Sequence, residues 1–280
     1  MGFRTILVPV EQHDLMDQAM QTALALARQF DSYVEGFAMR VAIPTAFAIG
    51  DVGAVPIPAL EQDIAENEKR SRSYFESFMR EHGVPSGADT KALSSGWLRD
   101  APEGDHFVGS HGRLFDAIVL GRPGRDLRGP RMTTLEAGLF ESGRPVLIAP
   151  PRLQPKMGTN ILIAWNCSTE QARATAFALP ILKRAGRVVV LTVEGGAAVP
   201  GPTGQQLCRY LQFHGVPAKP LSVGLDGGLT GEVILAHATA LGCDLLIKGA
   251  YTQSRLRQMI FGGTTRYILS NAELPVLMAH

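Results

Sequence analysis

An internal duplication constrains this 280-residue chain more than any other feature. Ile6-Leu7-Val8-Pro9-Val10-Glu11 returns 155 residues later as Ile161-Leu162-Ile163-Ala164-Trp165-Asn166. The run from Phe115 to Gly121 returns as Cys243 to Gly249 at an offset of 128, and Arg144–Ala149 returns as Leu274–Ala279 at 130. The fall from 155 to 128 gives the first copy roughly 27 extra residues. They fall between its second and third strands, in the Gly/Pro/Ala stretch 42–58 and a longer helix reaching residue 82. Two domains are predicted, residues 1–150 and 157–280, joined by Pro150-Pro151-Arg152-Leu153-Gln154-Pro155, a stiff extended connector.

Each copy alternates short apolar runs with helical patterns. In the second copy strands are predicted at 161–165, 188–193, 217–223 and 243–248. Ser168-Thr169-Glu170-Gln171 reads as a capping box opening a helix to about Arg184, with Pro180 inside it and a kink expected near Phe177. A helix should also run to about Phe213, and Thr230 is placed as the cap of the next. Continuous Val/Ile/Leu strands between helices indicate a parallel sheet covered on both faces. The predicted fold is α/β: two tandem, doubly wound, five-stranded parallel-sheet domains. Ligands of such sheets bind beyond the carboxyl ends of the strands, at the switch point.

Composition narrows the function classes. Lys and Arg total 27 against 26 Asp and Glu, which argues against a dedicated nucleic-acid binder. The even total hides an asymmetry: residues 1–150 carry 15 basic and 20 acidic side chains, and residues 151–280 carry 12 and 6. Three cysteines, Cys167, Cys208 and Cys243, make neither a disulfide framework nor a four-ligand zinc site. The absence of a signal-peptide pattern and of an 18-residue apolar run predicts a soluble, cytoplasmic chain without a membrane contact.

The candidate binding loop follows the fourth strand of the second copy. Gly249 turns the chain off the strand, and Gly262-Gly263 places bare N–H groups at the start of a helix beginning Thr264-Thr265. Backbone N–H groups at the positive end of a helix dipole form a ready anion site, with hydroxyls beside them. In the first copy the matching loop carries Gly121 and Gly124 but Thr134 where the next glycine would stand. It gains Arg122, Arg125, Arg128 and Arg131, which read either as a side-chain phosphate site or as a solvated loop.

These residues give the chain a resemblance to the tandem universal stress proteins, over both repeats. That family's nucleotide motif is Gly, two residues, Gly, nine residues, Gly, then Ser or Thr, with a carboxylate at the end of strand one. The second repeat matches at Gly249 and Gly262. It departs at Thr252, where a Gly is expected, at Gly263, where Ser or Thr is expected, and at Asn166, which replaces the Asp. The resemblance implies an adenine nucleotide such as ATP, with Mg²⁺ accompanying it, held by Asn166, Val193, Gly249, Thr252, Gly262, Gly263, Thr264 and Thr265. It implies a regulatory stress-response protein more than an enzyme. It also implies that 144–149 and 274–279 pair antiparallel as an internal pseudo-dimer, with a homodimer beyond that as a further expectation.

Other constellations are weaker. The seven histidines do not fall at metal-ligand spacings; His237 reads as packing and His280 as a fraying terminus. Cys167 lies near the expected pocket without a neighbour in sequence that would lower its pKa. Ser110 and His111 lie close to Asp116, but around Ser110 a Gly-x-Ser-x-Gly elbow is incomplete, with Val108 at its first position. Two other readings stay open. One is a nucleotide-free scaffold acting through protein contacts, with the 42–58 stretch as cover or contact surface. The other is slow ATP hydrolysis with Asp226 or Glu194 as the acidic group.

Overall fold

The two repeats form one sheet. A computed structural model describes residues 2–40, 57–123, 129–154, 156–225, 227–250 and 263–280, with side chains of the second helix from Gln62 onward. The first repeat runs β1 (Thr5–Val10), α1 (Met16–Phe30), β2 (Tyr33–Ala38), α2 (Ile57–Glu81) and β3 (Ser94–Trp97). It continues with α3 (His106–Gly112), β4 (Ala117–Leu120), α4 (Met132–Glu141) and β5 (Val146–Ile148). The second comprises β6 (Asn160–Ala164), α5 (Thr169–Leu182), β7 (Arg187–Glu194), α6 (Gly204–Phe213) and β8 (Ala218–Gly224). It ends with α7 (Thr230–Ala240), β9 (Leu245–Gly249), α8 (Gly263–Asn271) and β10 (Val276–Ala279).

The strand order is β3-β2-β1-β4-β5-β10-β9-β6-β7-β8. Within each half every pairing is parallel. The halves meet through an antiparallel pairing of Val146, Leu147 and Ile148 with Met278, Leu277 and Val276, as the family resemblance implied. The order places a switch point between β1 and β4 and another between β6 and β9.

The period-two alternation of strand side chains divides the core into two layers. Ile161 and Ile163 face a cluster built with α1, α2, α5 and α6, while Leu162 and Ala164 face one built with α3, α4, α7 and α8. Both clusters cross the seam: Leu147 and Leu277 belong to the first, and Val146, Ile148, Val276 and Met278 to the second. His280 does not fray. Its Nδ1 lies 3.1 Å from the Ala250 carbonyl oxygen, and its ring meets Phe140 of the first repeat at 4.7 Å.

One polar device recurs at equivalent places. Asp116 accepts from the backbone N–H groups of Arg4 (2.8 Å) and Thr5 (3.0 Å). Asp244 accepts from those of Gly158 (3.0 Å), Thr159 (3.0 Å) and Asn160 (2.9 Å). Each carboxylate thus ties the entry of the fourth strand of its repeat to the start of the first. The longer helix of the first repeat is α2, with 25 residues against 10 in its counterpart α6. The stretch 42–58 preceding it lies outside the described residues, apart from the first two residues of that helix.

Two sequence expectations need correction. Thr230 is the first helical residue of α7, and its hydroxyl accepts from Ala197 N–H (3.3 Å) instead of capping its own helix. The complete capping box lies at Thr203 and Gln206, whereas Ser168 caps α5 without a reciprocal bond from Gln171. The continuous seam has a measurable consequence. Replacement of buried Leu277 by Ala is expected to cost about 3 kcal/mol. Calorimetry should show one transition shifted down as a whole; two separate transitions would mean that the halves unfold independently.

Candidate functional site

The second repeat's cleft is built at the carboxyl ends of β6, β7 and β9. Beyond β6 the chain passes through Trp165 and Asn166 to Cys167, which adopts a left-handed backbone with φ of 65°. Asn166 Oδ1 accepts from Ser168 N–H (3.2 Å), and its carbonyl accepts from Val199 N–H (3.1 Å). Pro202 O accepts from Trp165 Nε1 (2.7 Å) and Cys167 Sγ (3.1 Å). The loop after β7 is thereby latched across the end of β6. Val193 lies beneath its first turn, 7% exposed, with its carbonyl accepting from Gly196 N–H at 3.2 Å.

Gly249 is required for a close approach. A Cβ there would stand 2.3 Å from Gln171 N, so the first turn of α5 rests directly on this residue. Gln171 is 1% exposed, and its Oε1 accepts from Gly249 N–H at 2.7 Å. This bond explains why the capping box predicted at Ser168 is half made: the glutamine side chain is spent on the strand end. A buried backbone amide is satisfied by it.

Lys248, the residue before Gly249, is 7% exposed. Its Nζ donates to Gly249 O (2.7 Å) and to Thr265 Oγ1 (3.1 Å) in the first turn of α8. Burial in this apolar surrounding pushes its ammonium down to about 8. Thr265 is 3% exposed and turned inward toward this lysine. Thr264 is half-buried and Gly263 exposed, with open space where a Cβ would stand. Thr252 and Gly262 lie outside the described residues. Of the expected ligands, the structure therefore gathers Gly249, Gly263, Thr264 and Thr265 at one strand–helix junction. Asn166 and Val193 sit at the neighbouring strand ends.

The first repeat's cleft is filled by its own side chains. Glu11 follows β1, and burial raises its carboxyl pKa, an effect opposed by Arg131 and the Thr134 hydroxyl. Arg131 Nε lies 3.9 Å from Glu11 Oε2, and its Nη2 lies 2.8 Å from Asp105 Oδ1, an ion pair too oblique to count as a good hydrogen bond. Thr134 Oγ1 donates to the same Asp105 oxygen at 2.8 Å. Over Gly121, a Cβ would meet Pro130 at 2.5 Å and His13 at 3.0 Å. Arg122 reaches across the seam to the Ala272 carbonyl near the end of α8. Two of the four loop arginines are thus committed internally; Arg125 and Arg128 lie outside the described residues.

Catalytic alternatives gain little. Burial raises the thiols of Cys167 and Cys208, and that of Cys243 to about 11, which opposes thiolate formation. Glu194 accepts from the Ser222 hydroxyl at the outer strand pair, and Asp226 lies outside the described residues. Among the described residues no cluster of three His, Cys, Asp or Glu is arranged to hold a metal, and no helix is long and apolar enough to cross a membrane. His111 pairs with Glu35 (2.7 Å) and stacks on Phe107, and His106 pairs with Glu141 (2.9 Å).

Sequence reasoning passed over Lys248 and Gln171. The signal for Lys248 was available: it is the only charged residue in the run Leu245-Leu246-Ile247-Lys248-Gly249, and Leu120 stands at its place in the first repeat. Two outcomes follow from this geometry. Gly249→Ala should push the α5 turn off the strand end and cost roughly 2 kcal/mol in urea unfolding, with unchanged stability contradicting the contact. Lys248→Met should gain on the order of 2 kcal/mol at pH 7, because the ligand-free fold then no longer buries a charge. Between about pH 8 and 10.5 the folded lysine is neutral while the unfolded one is still charged, so the wild type recovers stability as pH rises. The variant's advantage should shrink across that window; a constant difference would contradict the buried charge.

Comparison with known proteins places this geometry. Residues 215–280, from just before β8 to the end of β10, match the model of the Universal stress protein family. A universal stress protein of Synechocystis is 26% identical over 173 residues, which cover 58% of this chain and 57% of that protein; the chain spans little more than half of that relative. The crystal structure of a universal stress protein from Archaeoglobus fulgidus superposes with a TM-score of 0.71 at 14% identity, covering 98% of this chain and 97% of that one. A putative universal stress protein from Pseudomonas aeruginosa gives 0.57 at 17% identity, covering 99% and 93%. Residues 215–280 are thus similar to the Universal stress protein family, and the chain as a whole shares the fold of the universal stress protein structures.

Proposed function

We propose that this chain is a stress-response protein that binds one adenine nucleotide, ATP or a relative, in its second repeat and acts through that binding instead of turnover. The observation that carries the reading is the contrast between the two clefts. In the first, Arg131, Pro130 and His13 lie over the strand ends. In the second, α8 opens at an exposed Gly263 beside Gly249, a helix start suited to phosphate oxygens. The adenosine end would lie toward Asn166 and Val193. Mg²⁺ would come with the phosphates, since the described residues offer no carboxylate cluster for it.

A scaffold reading is favoured by one specific feature. Among the described residues β8 is an outer strand of the sheet, paired on one side only, with Tyr210 (42% exposed) and Phe213 (79% exposed) on the adjacent α6. An open edge of this kind suits a protein partner or a second copy.

Isothermal titration of the full chain with ATP separates the two. The nucleotide reading expects one site per chain, weakened at least tenfold by Gly263→Asp, which sets a carboxylate where phosphate would bind. Absence of any binding heat, with no nucleotide carried through purification, would leave the scaffold reading.

A further inference from the structure

We propose that Lys248 is an anion-binding residue of the second repeat, its buried ammonium supplying the positive charge for a phosphate group held at the first turn of α8. The inference deepens the nucleotide reading by naming the charge that its site uses.

Lys248 projects into the layer that contains Leu246, Ile268, Leu269 and Met278, with Met278 its neighbour across β10. Both of its hydrogen-bond partners, Gly249 O and Thr265 Oγ1, are neutral oxygens. Among the described residues no carboxylate pairs with it, and burial alone sets its protonation. At this strand end His280, after β10, acts on Glu170 of α5, and neither is recorded as a partner of Lys248. A buried ammonium without a counter-charge is costly, and here it stands at the positive end of the α8 dipole, where the helix repels it further. A bound oxyanion satisfies both the lysine and the exposed N–H groups of the helix start.

The fold does not require this arrangement. Lys248 aligns with Leu120 in the first repeat, and at the offset of 130 set by the closing strands Thr265 aligns with Leu135; both leucines are buried in the apolar layer. An apolar pair in the filled cleft is replaced, at both members, by a polar pair in the cleft whose helix start is exposed. The pairing of that replacement with that cleft points to a ligand more than to packing.

The test is isothermal titration of the full chain, as wild type and as Lys248→Met, with ATP, inorganic tripolyphosphate and adenosine. The proposal expects the variant to weaken ATP and tripolyphosphate at least tenfold while adenosine affinity stays within twofold. Where Lys248→Met does not fold, the double variant Lys248→Leu, Thr265→Leu takes its place, carrying the pair that the first repeat tolerates. Unchanged ATP and tripolyphosphate affinity in the variant would overturn the proposal and leave the nucleotide reading standing. Tripolyphosphate binding that is lost in the variant, with no response to ATP or adenosine, would support Lys248 and remove the nucleotide reading. A wild type that binds neither ATP nor tripolyphosphate would overturn both.

Discussion

The antiparallel pairing of β5 with β10 is the constraint on which the rest of the molecule depends. Only three residue pairs make it, yet both apolar layers run through it, so two five-stranded repeats become one ten-stranded sheet. Because each half is parallel and the seam is antiparallel, the strands of the two repeats run in opposite directions. Their carboxyl ends, and hence their clefts, open at opposite ends of the sheet. Neither cleft can borrow a residue from the other, and each must stand on its own side chains.

They have done so differently. The first cleft sets two carboxylates, Glu11 and Asp105, around one arginine, and closes over Gly121 with a proline and a histidine. The second uses glycine for close backbone approach at Gly249, leaves Gly263 open, and buries a lysine without an acidic partner among the described residues. The surplus of acid in one half and of base in the other, visible in the composition, is therefore reflected at the two strand ends. The first cleft is thus occupied by its own side chains, while the described residues of the second present an exposed Gly263 at the helix start and a buried lysine bonded to Thr265.

Much of this was legible in the sequence. The strands were readable because buried parallel strands are continuous apolar runs, while the seam was expected from the family resemblance. What escaped depends on where a side chain goes after the backbone is placed. Gln171 fits a capping box by spacing, but tertiary approach of Gly249 offered its amide oxygen a buried backbone donor. Thr230 fits a cap by position but bonds a loop that only folding brings near. Arg122 and Arg131 form one loop cluster in sequence, and the fold sends one across the seam and the other into the first cleft. Lys248 was visible as a charge inside a strand, yet its hydrogen bond to Thr265 appeared only once α8 was set above it.

The central claim is that one repeat of two retains a ligand site and that the site takes a phosphate-bearing adenine compound. Native mass spectrometry of the gently purified chain, with the released small molecule identified by fragmentation, tests it most directly. One adenine nucleotide per chain is the predicted result. Two per chain, or a ligand without phosphate, would contradict it.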